Sequence, residues 1–409
     1  MRSSSPLPRR ATVLSPLVAL GVAVALTGWA ARAVAAAPAA TGPTLVVATN
    51  GNDANPGTVD APLATIGRAV TLARPGTTIA IRAGTYQLTT NVQVRTSGTA
   101  AQPITMTAFA GEHPIIDGDL LPASHTPVGG SIPAAERGAI HQQASFWRYV
   151  GLEITRGPYA IYCDGCNNTI FERLVTHDNV ETGLHIQGAS SNNLIVNLDS
   201  FGNHDPRKNG ESADGLAIKQ GSGTGNVVRG ARLWNNVDDG FDAFEFTSPI
   251  TIENTVAWGN GVNRWNFPNF AGDGNGFKLG GGDPDPAANH VVRNSIAFDN
   301  TAHGFTDNGN PGALALDHNT AYRNTRTGFD VDSSHSTLTG NLAVRNATAV
   351  ALGASTGSGN SWNVASTWAD ADLASTNPAT ITGPRAADGT IATSTFLRPR
   401  SHPELGAKI

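Results

Sequence analysis

One short phrase returns along the chain from about residue 140 onward: LWNN at 233, AWGN at 257, AFDN at 297, AYRN at 321 and AVRN at 343. Its last asparagines, Asn236, Asn260, Asn300, Asn324 and Asn346, are separated by 24, 40, 24 and 22 residues. The long interval contains GVNRWNFPNFAGDG, which reads as a loop inserted into one repeat. Between the phrases, short β-rich runs alternate with Asn, Gly and Asp turns. A unit of 22 to 24 residues that is this polar at its turns cannot bury a core alone. Neighbouring units must therefore stack, which is the signature of a solenoid. The leucine pattern of leucine-rich repeats is missing. Strands and turns without helices predict an all-β fold, a parallel β-helix, right-handed by the general rule for parallel crossovers. Inward aliphatics and asparagines should stack in ladders from rung to rung.

Such a coil has two open ends that must be covered. Near the first, Thr65 is placed to cap a short amphipathic helix over 66–73, which Pro75-Gly76 stops. The last forty residues lose the repeat and should pack along or over the coil. The expected organisation is a leader at 1–37, a β-helix domain at 38–370 and a C-terminal tail at 371–409.

A second phrase recurs on what must be one wall: glycine followed by Leu or Phe, in TGLHI, DGLAI, DGFDA, NGFKL, HGFTD and TGFDV. Equivalent positions in successive rungs stack about 4.8 Å apart. Alignment on Gly215, Gly240 and Gly276 puts Asp214 over Asp239, with Asp238 beside it. It also puts Asp242 next to Lys278, although 36 residues separate that pair. Two carboxylates about 5 Å apart repel by roughly 3 kcal/mol at an effective dielectric of 20. Any single aspartate here is ordinary turn chemistry. A turn, however, needs no second acid one rung away and no lysine on the following rung. Four hard oxygen donors suit Ca²⁺, which accepts six to eight oxygens in irregular geometry; Mg²⁺ would demand a tighter octahedron.

Composition adds three constraints. Arg2, Arg9 and Arg10 precede an apolar run broken by Pro16, Gly21 and Gly28, and then A-x-A sites. This reads as a secretory signal peptide rather than a membrane anchor, so the expected location is extracellular. Removing residues 1–37 takes away four arginines and no acid, moving the net charge from -5 to -9 (23 basic against 32 acidic). Such a chain is a poor nucleic-acid binder. A polyanionic partner would have to be met by local basic groups or a metal. The two cysteines, Cys163 and Cys166 in CDGC, lack a second pair for a four-cysteine zinc site, and a local disulfide is preferred over a redox motif.

At these residues the chain resembles the family nine polysaccharide lyases, pectate lyases with a parallel β-helix fold. The match runs through ESADGLAIKQGSGTGNVVRGARLWNNVDDGFDAFEF and NGFKLGGG, with steps of 24, 25, 28 and 64 residues from Asp214 to Asp238, Asp239, Asp242 and Lys278. The resemblance covers about Leu45 to the C-terminus, most specifically Gly183 to Asn324. It implies that Asp214, Asp238, Asp239 and Asp242 hold Ca²⁺ and that Lys278 is the Brønsted base. It implies β-elimination on α-1,4-polygalacturonate: the base removes the C5 proton, O4 leaves, and a C4–C5 double bond forms. A cation near the C6 carboxylate stabilises the enolate-like charge. An alkaline optimum and loss of activity with chelator are expected, because lysine is a base only when neutral.

Lys219 and Arg264 are candidate binders of substrate carboxylates. Trp265 and Phe267 either stack on sugar rings or anchor the inserted loop. His141, His177, His185, His204, His290 and His303 read as turn or surface histidines. GSGTGN at 221 is not followed by a helix and reads as a turn. The expected partner is an acidic polysaccharide, bound by a monomer without nucleic acid or membrane. A hydrolase would use paired acids without a lysine, and the G-H-G and R-I-K motifs of β-helix polygalacturonases are absent. A lyase on rhamnogalacturonan or alginate, and a non-catalytic carbohydrate-binding β-helix, remain the alternatives.

Overall fold

The computed structural model describes residues 42–409. The leader expected at 1–37 lies outside the described residues. Within them, three parallel sheets of 12, 10 and 10 strands run the length of a coil. Each turn of the coil contributes one strand to each sheet, so the chain folds as a parallel β-helix. Among the described residues, no helix is long and apolar enough to cross a membrane.

The repeating phrase makes a sharp corner. The residue before each ladder asparagine is left-handed: Asn235 (φ 55°), Asp299 (55°), Arg323 (52°) and Arg345 (60°). Asparagine and aspartate tolerate that region better than most residues. The next asparagine turns inward and stacks. The Nδ2 of Asn236, Asn260, Asn300 and Asn324 donates to the Oδ1 of the following asparagine at 2.9–3.1 Å. The same Oδ1 accepts the backbone N–H of the previous rung, as where Asn236 donates to Asn260 at 3.0 Å. The ladder begins earlier than the phrase suggests, with Asn179 and Asn203. A second ladder joins Asn319, Asn341 and Asn360. These amides satisfy backbone groups that the corner would otherwise bury unpaired.

The interior is filled by stacked side chains. Phe277, Phe305 and Phe329 lie face to face with centroids 4.8 and 4.9 Å apart. Offset stacks of this kind add about 0.5–1.5 kcal/mol per pair beyond their burial. At the N-terminal end the helix Ile66–Leu72 is capped by Thr65, whose Oγ1 accepts from Arg68 N at 3.1 Å. Its buried face is Ile66, Ala69 and Val70. At the other end, Trp362 packs against Phe329. The tail then runs back along the outside of the third sheet. Leu373, Ile381, Ile391, Phe396 and Leu397 form an apolar layer with Ile296, Phe298, Tyr322 and Val344. Arg385 ties the tail to Asp199. Cys163 and Cys166 form a disulfide.

Candidate active site

The sheet that carries the glycine phrase also carries the acids. Its glycines are required by close approach: a Cβ on Gly240 or Gly276 would lie 2.6 Å from the carbonyl oxygen of the next rung's glycine. Rungs drawn in this tightly put the neighbouring side chains in exact register. Asp242 of strand Phe241–Asp242 pairs directly with Lys278 of strand Phe277–Lys278, as the spacing predicts. Asp214 and Asp239 stand one residue ahead of equivalent glycines, and Gly215 N donates to Asp239 O at 3.0 Å.

Carboxylate oxygens of Asp214, Asp238 and Asp239 all lie within 4.8 Å of one another, and all three residues are buried. Asp242 is joined to this group through Lys219. The Lys219 ammonium bridges Asp214 Oδ2 at 2.9 Å and Asp242 Oδ2 at 2.7 Å. Lys278 Nζ donates to Asp273 Oδ2 at 2.6 Å and stands 3.4 Å from Asp239 Oδ2. Backbone donors hold the outer oxygens. Asp273 N donates to Asp238 Oδ1 and Asn275 N to Asp239 Oδ1, both at 2.7 Å. One oxygen is left over: Asp239 Oδ2 is buried with no hydrogen-bond partner among the described residues.

The electrostatics follow from burial and crowding. Burial pushes Asp239 up, against the pull of Lys278, to about 8, and pushes Asp214 up, against Lys219, to about 6. Burial and the adjacent Asp239 raise Asp238 as well. Asp242 alone ends below the usual range, because Lys219 and Lys278 together outweigh its burial. Burial pulls the Lys278 ammonium down, but Asp242, Asp239, Asp238 and Asp273 outweigh it and hold it above the ordinary lysine range. A further cation beside these oxygens would lower the acids and release Lys278. The donor set is all carboxylate, with an orphaned oxygen, and so fits Ca²⁺.

A cleft of about 540 Å³ opens over Asp242, Lys219, Lys278 and Asp273. It extends past His185 to Tyr159, Glu181, Arg137 and Arg207. Lys219 does reach the cleft, but as a partner of two acids. Arg264 is not among the residues lining this cleft; its guanidinium donates to Gly259 O and Asn235 Oδ1. Trp265 stacks on His204 and Phe267 and so anchors the inserted loop. The histidine reading is corrected at three positions. His141, His185 and His290 are buried, and His290 Nδ1 accepts from Ile250 N inside the coil. Lone histidines carry no spacing signal from which this can be read. Asp273 and Arg137 were not expected, since they come from loops without the repeat; Glu181, two residues before Gly183 as Asp238 is before Gly240, was on the repeat and was missed.

Residues 45–348 match the model of the Pel9A-like right-handed β-helix region. The chain belongs to this family. It is 47% identical to the pectate lyase PEL9 of Emericella nidulans over 391 residues, covering 90% of this chain and 95% of that one. The crystal structure of pectate lyase Pel9A superposes with a TM-score of 0.76 at 32% identity, over 88% of this chain and 90% of the other. A structure of a rhamnogalacturonan lyase superposes equally well, TM-score 0.77, at 25% identity over 89% of this chain and 99% of that one. The right-handedness expected from the crossover rule is thus that of the family.

Proposed function

We propose that the protein is a secreted, calcium-dependent pectate lyase that cleaves α-1,4-polygalacturonate by β-elimination, with Lys278 taking the C5 proton. The observation that carries this reading is the direct pairing of Lys278 with Asp242 at the rim of a buried three-carboxylate cluster. Likeness to two pectate lyases over most of the chain supports the substrate. Such relatives favour pectate over the other uronans, although the rhamnogalacturonan lyase likeness keeps that backbone as the second reading.

Asp214, Asp238, Asp239 and Asp242 are the residues that would hold Ca²⁺, which supplies positive charge beside the substrate C6 carboxylate and so eases charge development at C5. The chain's own groups do the rest. Asp242, Asp239 and Asp273 fix the Lys278 amine at the mouth of the cleft. In its neutral form Lys278 accepts the C5 proton. The electron pair forms the C4–C5 double bond, the C4–O4 bond breaks, and O4 takes a proton from solvent. Lys219 holds Asp214 and Asp242 together and puts a fixed positive charge on the cleft floor.

The test is the Lys278→Ala variant on polygalacturonate, with products read by mass spectrometry. The wild type should give 4,5-unsaturated ends. The variant should lose about two to four orders of magnitude in rate, the usual worth of a general base. Saturated, hydrated ends from the wild type, or a variant of near-normal rate, would overturn the assignment.

A further inference from the structure

The cleft is longer than the catalytic cluster, and its far end is built differently. One outward position can be followed along the sheet: Tyr162, His185, Ala217, Asp242 and Lys278 are successive register partners. The rungs of Tyr162 and Lys278 are therefore four steps apart, about 19 Å at the strand spacing of a sheet. Residues 118–138 cross the coil at that far end. They are tied down by Gly129 N to Arg207 O at 2.9 Å, by Arg207 Nη1 to Gly130 O at 2.8 Å, and by Gln93 Nε2 to Ala135 O at 2.7 Å. Under this strap Tyr162 and His141 are buried although they point outward.

The strap brings Arg137 into the cleft. Its Nη1 donates to the Tyr162 hydroxyl at 2.7 Å, and its guanidinium carbon lies 5.4 Å from the centre of that ring. Among the described residues Arg137 forms no ion pair. The other cleft guanidinium, Arg207, is held by Glu181. Glu181 is fully buried and lines the cleft, and only its Oε1 is used by Arg207. Its Oε2 is buried with no hydrogen-bond partner among the described residues. The half-buried Arg137 guanidinium has no carboxylate partner among the described residues, and the buried Glu181 Oε2 has no donor; such bonds are costly to leave unmade. A uronic acid residue would satisfy both. Its carboxylate matches the guanidinium fork, and its ring hydroxyls are donors for Glu181.

We infer that Arg137 and Glu181, presented by the strap and the loop beneath it, form a uronate-binding subsite at the end of the cleft remote from Lys278. Arg137 takes the carboxylate and Glu181 Oε2 accepts a hydroxyl. This rests on the polygalacturonate reading and deepens it. The subsite holds a sugar distant from the reacting bond, so it governs binding of longer chains and preference for free over methyl-esterified carboxylates.

The experiment compares wild type with Arg137→Ala, Arg137→Lys and Glu181→Gln on polygalacturonate, on highly methyl-esterified pectin and on short oligogalacturonates. In Arg137→Ala, KM for polygalacturonate should rise about tenfold or more, the worth of one charge-assisted pair, with kcat little changed. KM for the shortest cleaved oligomer should not move, and the preference for de-esterified polymer should shrink. Arg137→Lys should restore part of the affinity. Glu181→Gln should raise KM for long chains more than for short ones. Equal KM changes on long and short substrates, or none, would overturn the subsite. Calorimetric titration of a long oligogalacturonate decides it independently of turnover. Weaker binding by Arg137→Ala than by the wild type supports the subsite; equal binding, or none by the wild type, overturns it. Absence of unsaturated products from the wild type would overturn the polygalacturonate reading while leaving the titration to judge the subsite.

Discussion

Two polar groupings are buried in the same coil, and their side chains differ in one atom. The asparagine ladder from Asn179 to Asn346 places one amide per rung, whereas the aspartates crowd onto two neighbouring rungs, Asp214 on one and Asp238, Asp239 and Asp242 on the next. An amide carries a donor and an acceptor, so a stack of amides closes on itself. Each Asn Nδ2 finds the next Oδ1, and each Oδ1 also takes a backbone N–H. A carboxylate only accepts. A cluster of carboxylates cannot close without cations: Lys219 bridges two of these acids, and Asp239 Oδ2 has the Lys278 ammonium 3.4 Å away but no hydrogen bond among the described residues. The first grouping holds the coil together. The second crowds like charges, and in the proposed function it would take up a cation and set a lysine base beside it.

The contrast is broken most sharply by exchanging the chemistry of the two groupings. Asp239→Asn gives the carboxylate cluster an amide. Activity with Ca²⁺ should fall by at least about a hundredfold, since even partners of metal ligands cost 10- to 100-fold. Its unfolding free energy in chelator should stay level or rise by about 1 kcal/mol, because an amide sits among the neighbouring acids without having to take up a proton first. The mirror change, Asn260→Ala, should do the reverse. It strips the acceptor from Asn236 N and Nδ2 and should cost about 2–4 kcal/mol in denaturant unfolding. The Ca²⁺ dependence of the folded fraction should be unchanged.

A smaller effect is read through pH. Asp214 and Asp239 are raised to about 6 and about 8 in the folded protein, against 3.8 for an ordinary aspartate. Between pH 4 and 8 the folded state thus holds protons that the unfolded state has released. In chelator, stability should be greatest below pH 4 as far as these two groups are concerned, and should fall as pH rises through 6 and then 8. Saturating Ca²⁺ should flatten that slope in thermal melts. A slope of opposite sign would mean that the acids are not crowded as described.

The smallest effect belongs to Arg264. It ties the inserted loop to Gly259 and Asn235, outside the cleft. Arg264→Ala should leave kcat/KM within about twofold while costing about 0.5–1.5 kcal/mol, the net worth of a typical hydrogen bond. A large rise in KM would return it to the substrate.

What was legible in the chain is whatever the repeat carries. Rung spacing, the asparagine ladder, and the pairing of Asp242 with Lys278 across 36 residues all follow from counting along a fixed period. Most of the groups that complete the site do not share that period. Asp273, which holds Lys278, comes from the insertion that lengthens one interval to 40 residues. Arg137 lies on the strap, and Arg207 on a corner that varies from rung to rung. Glu181, two residues before Gly183, was on the repeat and was missed. Lys219 was visible as a charge, but its two acid partners depend on a side chain reaching back over its own strand and its neighbour. His185 was misjudged because the rings that cover it, Tyr159 and Tyr162, belong to the preceding rung.

In the proposed function the carboxylate cluster brings a cation and a lysine base to an acidic polysaccharide. The most direct measurement is the ultraviolet absorbance of conjugated C4–C5 double bonds released from de-esterified polygalacturonate at mildly alkaline pH, with Ca²⁺ and then with chelator. The account predicts a steady rise with Ca²⁺ that chelator abolishes and added Ca²⁺ restores. New reducing ends without absorbance, or an absorbance indifferent to chelator, would contradict it.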